Sequence, residues 1–157
     1  MNTEYNFKSS LLKSQEAVEF MGNVFKQKGF DIRIPELVIA PYNVGAFSEY
    51  ADQGDMFISK HGKEWMVEVK HVSMDFTPTT YKYRTLIVNS YTGYNSKIKK
   101  PDVHIILNKD RTYYISVREE TSKTWVLRRV YDKIKKDNLL FYFVDIDNVE
   151  FFKILNP

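Results

Sequence analysis

Three features of this 157-residue chain predict an α/β domain with an N-terminal helix packed on a mixed central sheet. Apolar residues near the N-terminus recur at helical spacing. Two short extended runs between Asp55 and Lys70 are joined by a polar turn, and further strand-like runs separated by turn residues fill the second half. At 43% hydrophobic and 15% aromatic, residues 1–157 are expected to form one domain with a sizeable core. The absence of cysteine excludes disulfide frameworks and thiolate zinc sites. No basic segment leads into an apolar run at the N-terminus, and no stretch approaches the ~18 apolar residues of a membrane span, so neither a secretory signal nor a membrane association is expected. The net charge of +3 permits a polyanionic partner without demanding one.

Taken in order, residues 10–28 predict the helix. Ser9 or Ser10 can cap its start, and Gly29 sits where a left-handed C-terminal residue is wanted. At 100° per residue Ala17, Phe20, Met21, Val24 and Phe25 share one arc, with Leu11 and Val18 at its edge. Glu19 lies nearly opposite that arc and Glu16 close to its border. Phe30-Asp31-Ile32-Arg33-Ile34 alternates like a half-buried strand until Pro35 ends it or confines it to an edge. Leu37-Val38-Ile39-Ala40 is a second apolar run, and the loop after Pro41 carries Glu49 and Asp52.

Met56-Phe57-Ile58, the polar turn Ser59-Lys60-His61-Gly62-Lys63 and Trp65-Met66-Val67-Glu68-Val69-Lys70 make a hairpin. Residues 74–100 are broken by Pro78 and contain one short apolar run, Leu86-Ile87-Val88. Val103–Leu107 and Tyr113–Val117 are strands about a turn at Asn108–Arg111. Thr121 or Ser122 is placed to cap a second flanking helix that displays Val126, Leu127, Val130 and Ile134 on one side. Leu139–Val144 predicts a buried strand, and Phe151–Leu155 an edge strand or cap.

The chemistry concentrates in the hairpin. Residues i and i+2 of a strand share a face, so Glu68 and Lys70 point one way while Val67 and Val69 point the other. Asp55, at the start of the neighbouring strand, can come within a few ångströms of Glu68. Two carboxylates and an ammonium suit a hard divalent cation such as Mg²⁺ or Mn²⁺, which prefers oxygen ligands. Asp145 and Asp147 form a rival carboxylate pair, but no lysine follows at the matching position. His71 falls on the face opposite Lys70, and no Ser/His/Asp arrangement stands out.

Asp55, followed by Glu68 and Lys70 in the Glu-x-Lys triplet, resembles the PD-(D/E)xK nuclease superfamily, although Gln53-Gly54 stands where its proline would be. The resemblance implies a restriction-endonuclease-like core, close to small phage-type or Holliday-resolvase-like members. It implies an Mg²⁺-dependent nuclease (Mn²⁺ substituting) in which Asp55 and Glu68 bind metal, helped by the Val69 carbonyl, while Lys70 assists the attacking water. Many members carry a further acid on the first helix, which points to Glu16; Glu19, Glu49 and Asp52 remain alternatives. The implied partner is DNA, with a homodimer left open.

Substrate contacts are expected just past the Glu-x-Lys strand, where bases lie among aromatics: Lys97, Lys99 and Lys100 first, then Lys82 and Arg84. A basic face on the second helix would be an additional contact. Two other classes compete with the nuclease: a catalytically inactive nucleic-acid-binding or assembly protein on a similar fold, and a protein-interaction module with a tyrosine-rich surface. The Lys-, Asn-, Ile- and Tyr-rich composition is compatible with a bacteriophage or AT-rich bacterial source and action in the host cytoplasm.

Overall fold

The computed structural model describes residues 3–36 and 54–155; the run 37–40 and the loop acids Glu49 and Asp52 lie outside them. Helix α1 (Thr3–Gln27) begins earlier than its apolar arc requires. Ala17, Val18, Met21, Val24 and Phe25 are its buried residues, the i, i+4, i+7 stripe of an amphipathic helix. At its C-terminus the N–H of Phe30 donates to the Phe25 carbonyl and the two rings meet edge to face at 5.7 Å. That pairing of a backward hydrogen bond with a hydrophobic contact closes the helix and aims the chain at the sheet.

The main sheet contains β1 (Asp31–Arg33), β2 (Met56–Lys60), β3 (Lys63–His71), β5 (Val103–Leu107), β6 (Tyr113–Arg118) and β9 (Glu150–Lys153). Its order is β1-β2-β3-β5-β6-β9. β3 and β5 run parallel and the other neighbours antiparallel. The crossover between β3 and β5 contributes β4 (Thr85–Ser90) and the short helix α2 (Tyr91–Asn95), which starts where Ser90 Oγ accepts the Gly93 N–H. β4 belongs to a second sheet, ordered β4-β8-β7, with β7 at Val126–Asp132 and β8 at Asp137–Asp145.

The layers are α1, the six-stranded sheet, and the three-stranded sheet. Val67, Val69, Ile105, Leu107 and Tyr114 meet α1, whereas Ile106, Ile115 and Val117 meet Leu86, Val88 and Val144. Both faces of the sheet are covered, so residues on both sides of β3 and β5 are buried near the strand centres. The Glu68 and Lys70 face of β3 is therefore turned toward the second sheet rather than toward solvent.

The second flanking helix is replaced by strands. Glu119–Thr124 forms a 3₁₀ turn, after which the chain enters β7, a turn at residues 133–136, and β8. Val126, Leu127, Arg128, Arg129 and Tyr131 are all exposed, so the helical spacing of apolar residues here buries no face. What decides the local structure is turn chemistry. Asp132 Oδ1 accepts the N–H groups of Ile134 and Lys135, and Lys136 adopts a left-handed φ of 52°. β8 forms where a strand was expected, but Val144 is its fully buried residue and Leu139–Phe143 are half-buried. No described helix is long and apolar enough to cross a membrane.

Candidate active site

The site is built on the β2–β3 hairpin. His61 and Gly62 both have positive φ, 52° and 76°, the geometry of a two-residue turn that sets Met56 opposite Val67. One residue further on, the Asp55 N–H donates to the Val67 carbonyl and Asp55 Oδ2 accepts the Val69 N–H at 2.7 Å. The carboxylate thus continues the β2–β3 ladder beyond the last paired residue, next to Glu68. Gly54, with φ +94°, makes this approach possible: a Cβ there would lie 2.6 Å from Met66 Cγ.

Glu68 is buried and faced from three sides. Asn89 Nδ2 donates to Oε1 at 3.3 Å, Lys97 Nζ lies 3.1 Å from Oε2, and His104, its register partner on β5, places Nε2 4.0 Å from Oε2. The side chains of Lys97 and Glu68 are only 6% and 11% exposed. Oε2 nevertheless has no aligned hydrogen-bond donor among the described residues. Lys70 is half-buried, and burial lowers its pKa below the usual ammonium value. Glu68 and Asp55 counter that shift and Lys97 adds to it, so the ammonium interacts with both carboxylates.

Asn89 reaches Glu68 through a β-bulge. Ile87 pairs with Phe143 and Asn89 with Tyr142, leaving Val88 as the extra residue. Strict alternation would turn Asn89 outward with the exposed Ile87; the bulge turns it inward instead. The Ser90 N–H holds its Oδ1, which fixes the amide with its donors toward the acid. A Cβ on Gly93 would come 2.9 Å from that Oδ1, so glycine leaves the room Asn89 needs.

His104 is fully buried, and neither ring nitrogen has a hydrogen-bond partner among the described residues. Burial, then Lys70 and Lys97, push its pKa down to about 3, so it stands as a neutral ring beside Glu68. Tyr94 and Trp125 pack against it at 6.3 and 6.0 Å.

The structure brings Asp55, Glu68, Val69 and Lys70 together and distributes the other candidates. Glu16 is exposed on α1, on the other face of the sheet, and pairs with Arg111 at 3.6 Å; Glu19 is also exposed. Lys97, expected at a phosphate-binding surface, is buried against Glu68. Lys100 Nζ is engaged by the carbonyls of Tyr94 and Lys97 at 2.8 and 2.7 Å. Arg84 is exposed but pairs with Asp145 and Asp147 at 3.2 and 2.6 Å, which engages the rival acid pair. Lys82 and Lys99 are exposed.

Asn89 and His104 were not singled out from sequence. Neither has a motif; each is defined by strand register, and only the apolar setting of His104 within Val103–Leu107 hints at its burial. A cavity of about 620 Å³ opens on the α1 side of the sheet, lined by Ile58, Trp65, Val103, Tyr114 and Phe152 among others, and none of Asp55, Glu68 and Lys70 borders it.

Among the described residues no group of three or more His, Asp or Glu side chains forms a metal cage. Mg²⁺ does not need one, since it is commonly held by one or two carboxylates and keeps several waters. The donor set of Asp55, Glu68 and the Val69 carbonyl, with a buried Glu68 oxygen lacking an aligned donor, is compatible with such an ion. No protein-family model, no curated protein and no solved structure matches this chain.

Proposed function

We propose that this chain is a metal-dependent nuclease of the PD-(D/E)xK type that hydrolyses phosphodiester bonds in DNA. The observation that carries the reading is the Asp55 carboxylate, fixed on the Val69 N–H beside Glu68, with Lys70 on the Glu68 face. An N-terminal helix on a mixed sheet whose β2–β3 hairpin bears the acids supports a restriction-endonuclease-like core. Asp55 and Glu68 would hold the cation, with the Val69 carbonyl as a further ligand. When bound, such an ion polarises a phosphoryl oxygen and makes a coordinated water more acidic.

The chain's own residues supply the rest. Asn89 orients Glu68, and the second sheet keeps bulk water from it. Lys70 faces the reacting phosphate, orients the attacking water and stabilises the charge that grows on phosphorus. Its lowered pKa brings proton exchange closer to neutrality than an exposed lysine allows. Asp55→Asn, Glu68→Gln and Lys70→Ala should each reduce Mg²⁺-dependent cleavage of plasmid and linear DNA at least a hundredfold with the circular dichroism spectrum unchanged. Full cleavage by Glu68→Gln would reject the assignment.

The 3.1 Å contact between Lys97 and Glu68 favours a second reading, a nucleic-acid-binding protein whose site carries a resident ammonium and does not turn over. Mn²⁺ titration separates the two. Saturable binding lost in Glu68→Gln supports the nuclease, and no binding supports the inactive fold.

A further inference from the structure

Resting on the reading that DNA is the substrate, we propose that the β7–β8 hairpin is an arm that lies in the major groove of duplex DNA and presents the backbone to the Glu68 site. Pairing between β4 and β8 ends at Ser90 and Phe141, whereas β7 pairs with β8 out to Asp132 and Asp137. Residues 137–140 of β8 and their partners on β7 therefore form a two-stranded ribbon that projects from the second sheet. At 3.3 Å per residue those rows extend about 13 Å before the turn, more than the ~8.5 Å depth of the groove. A pair of strands about 5 Å apart fits a groove ~12 Å wide. The major groove of A-form RNA is too narrow, so the partner is duplex DNA.

Charge makes the same argument. Between Arg128 and Asp137, five bases (Arg128, Arg129, Lys133, Lys135 and Lys136) face two acids, Asp132 and Asp137, a surplus that equals the +3 of the entire chain. Among the described residues, no ion pair ties any of the five to a carboxylate. Both acids are occupied by backbone N–H groups: Asp132 by Ile134 and Lys135, Asp137 by Asn138. Arg129 begins the ribbon and Arg128 sits at the Ser90–Phe141 row from which it leaves, on opposite faces of β7. The turn exposes Ile134 at 93% beside three lysines, and the Asp132 bonds hold its shape.

The position completes the case. The arm leaves the second sheet at the Ser90 row, next to Asn89, and Asn89 touches Glu68. DNA held along the ribbon would thus meet the protein at the edge of the site. Charged side chains on an edge strand also prevent strand-to-strand association. That role accounts for Arg128 and Arg129 but not for three lysines in the turn.

The test is fluorescence anisotropy of a labelled short duplex in EDTA, titrated over a range of salt with wild type, with Arg128→Gln/Arg129→Gln/Lys133→Gln/Lys135→Gln, and with Lys133→Gln/Lys135→Gln. Each phosphate contact contributes about −0.9 to the slope of log affinity against log salt. The fourfold variant should therefore lose about 3 to 4 from the slope and at least tenfold in affinity, and the turn variant about 2 from the slope, with unfolding midpoints unchanged. The turn variant alters exposed residues outside the strands, so it decides the matter should the fourfold variant misfold. Unchanged affinity and slope would overturn the proposal. So would equal, equally salt-sensitive binding of a single strand, or self-association of the variant without loss of DNA affinity. Cleavage with Mg²⁺ is scored separately: arm-dependent binding without cleavage by wild type rejects the nuclease reading and leaves the arm, whereas cleavage with arm-independent binding does the reverse.

Discussion

Replacing Lys97 by methionine removes the ammonium that faces Glu68 and keeps most of its apolar volume. At 3.1 Å and an effective dielectric of about 20, the pair attracts by roughly 5 kcal/mol before desolvation is counted. Both side chains are nearly buried, and breaking such a pair from one side typically costs about 3–5 kcal/mol because an uncompensated charge is left behind. Lys70 remains nearby to offset part of it, so a loss of about 3 kcal/mol is expected in EDTA. For a domain of this size that corresponds to a fall of about 6–12 °C in melting temperature. Mg²⁺ or Mn²⁺ should restore most of the loss, because a cation on Glu68 replaces the missing charge. Lys97→Met/Glu68→Gln should be more stable in EDTA than Lys97→Met, because the orphaned charge is gone. Differential scanning calorimetry of the single and double variants, with and without metal, reads all of this. An unchanged midpoint for Lys97→Met, or a loss that metal leaves untouched, would refute the argument that Lys97 stands in for a cation.

His104 gives a pH prediction. Its folded pKa of about 3 lies below the unfolded value near 6.5, so the unfolded chain binds the extra proton and stability falls as pH drops through that window. Between pH 7 and 4.5 wild type should lose about 2.5 kcal/mol more than His104→Phe, measured by urea unfolding at both values. Gly54→Ala places a methyl group against Met66 at a backbone angle that alanine resists. It should lower stability by about 2 kcal/mol or more in urea and weaken Mn²⁺ binding in a titration, because Asp55 moves. Asn89→Ala should leave the fold intact in far-ultraviolet circular dichroism while weakening Mn²⁺ binding about tenfold, the usual effect of losing a partner that orients a metal-binding carboxylate.

What could be read from the chain was local. The stripe from Ala17 to Phe25 and the Asp55–Lys70 hairpin depend on spacing and turn residues within a few positions, and both appear in the structure. The environment of Glu68 depends on partners distant in sequence. His104 arrives through the parallel register of β5, Asn89 through a bulge, and Lys97 through the segment after α2. Neither composition nor periodicity encodes such meetings, so from the sequence alone Lys97 reads as a phosphate contact. β7 departs from the helical expectation for the opposite reason. Val126, Val130 and Ile134 have helical spacing, but no layer covers them, and the Asp132 turn chemistry together with pairing to β8 decides the conformation.

The excursion joining the two parallel strands, residues 72–102, has an outcome for control of the acid at position 68. Asn89 and Lys97 both ride on that one length of chain and reach the same carboxylate from neighbouring points. Displacing the excursion from β3 would strip away the amide and the ammonium in a single movement. The acid would pass directly from a clamped, neutralised condition to an open, anionic one.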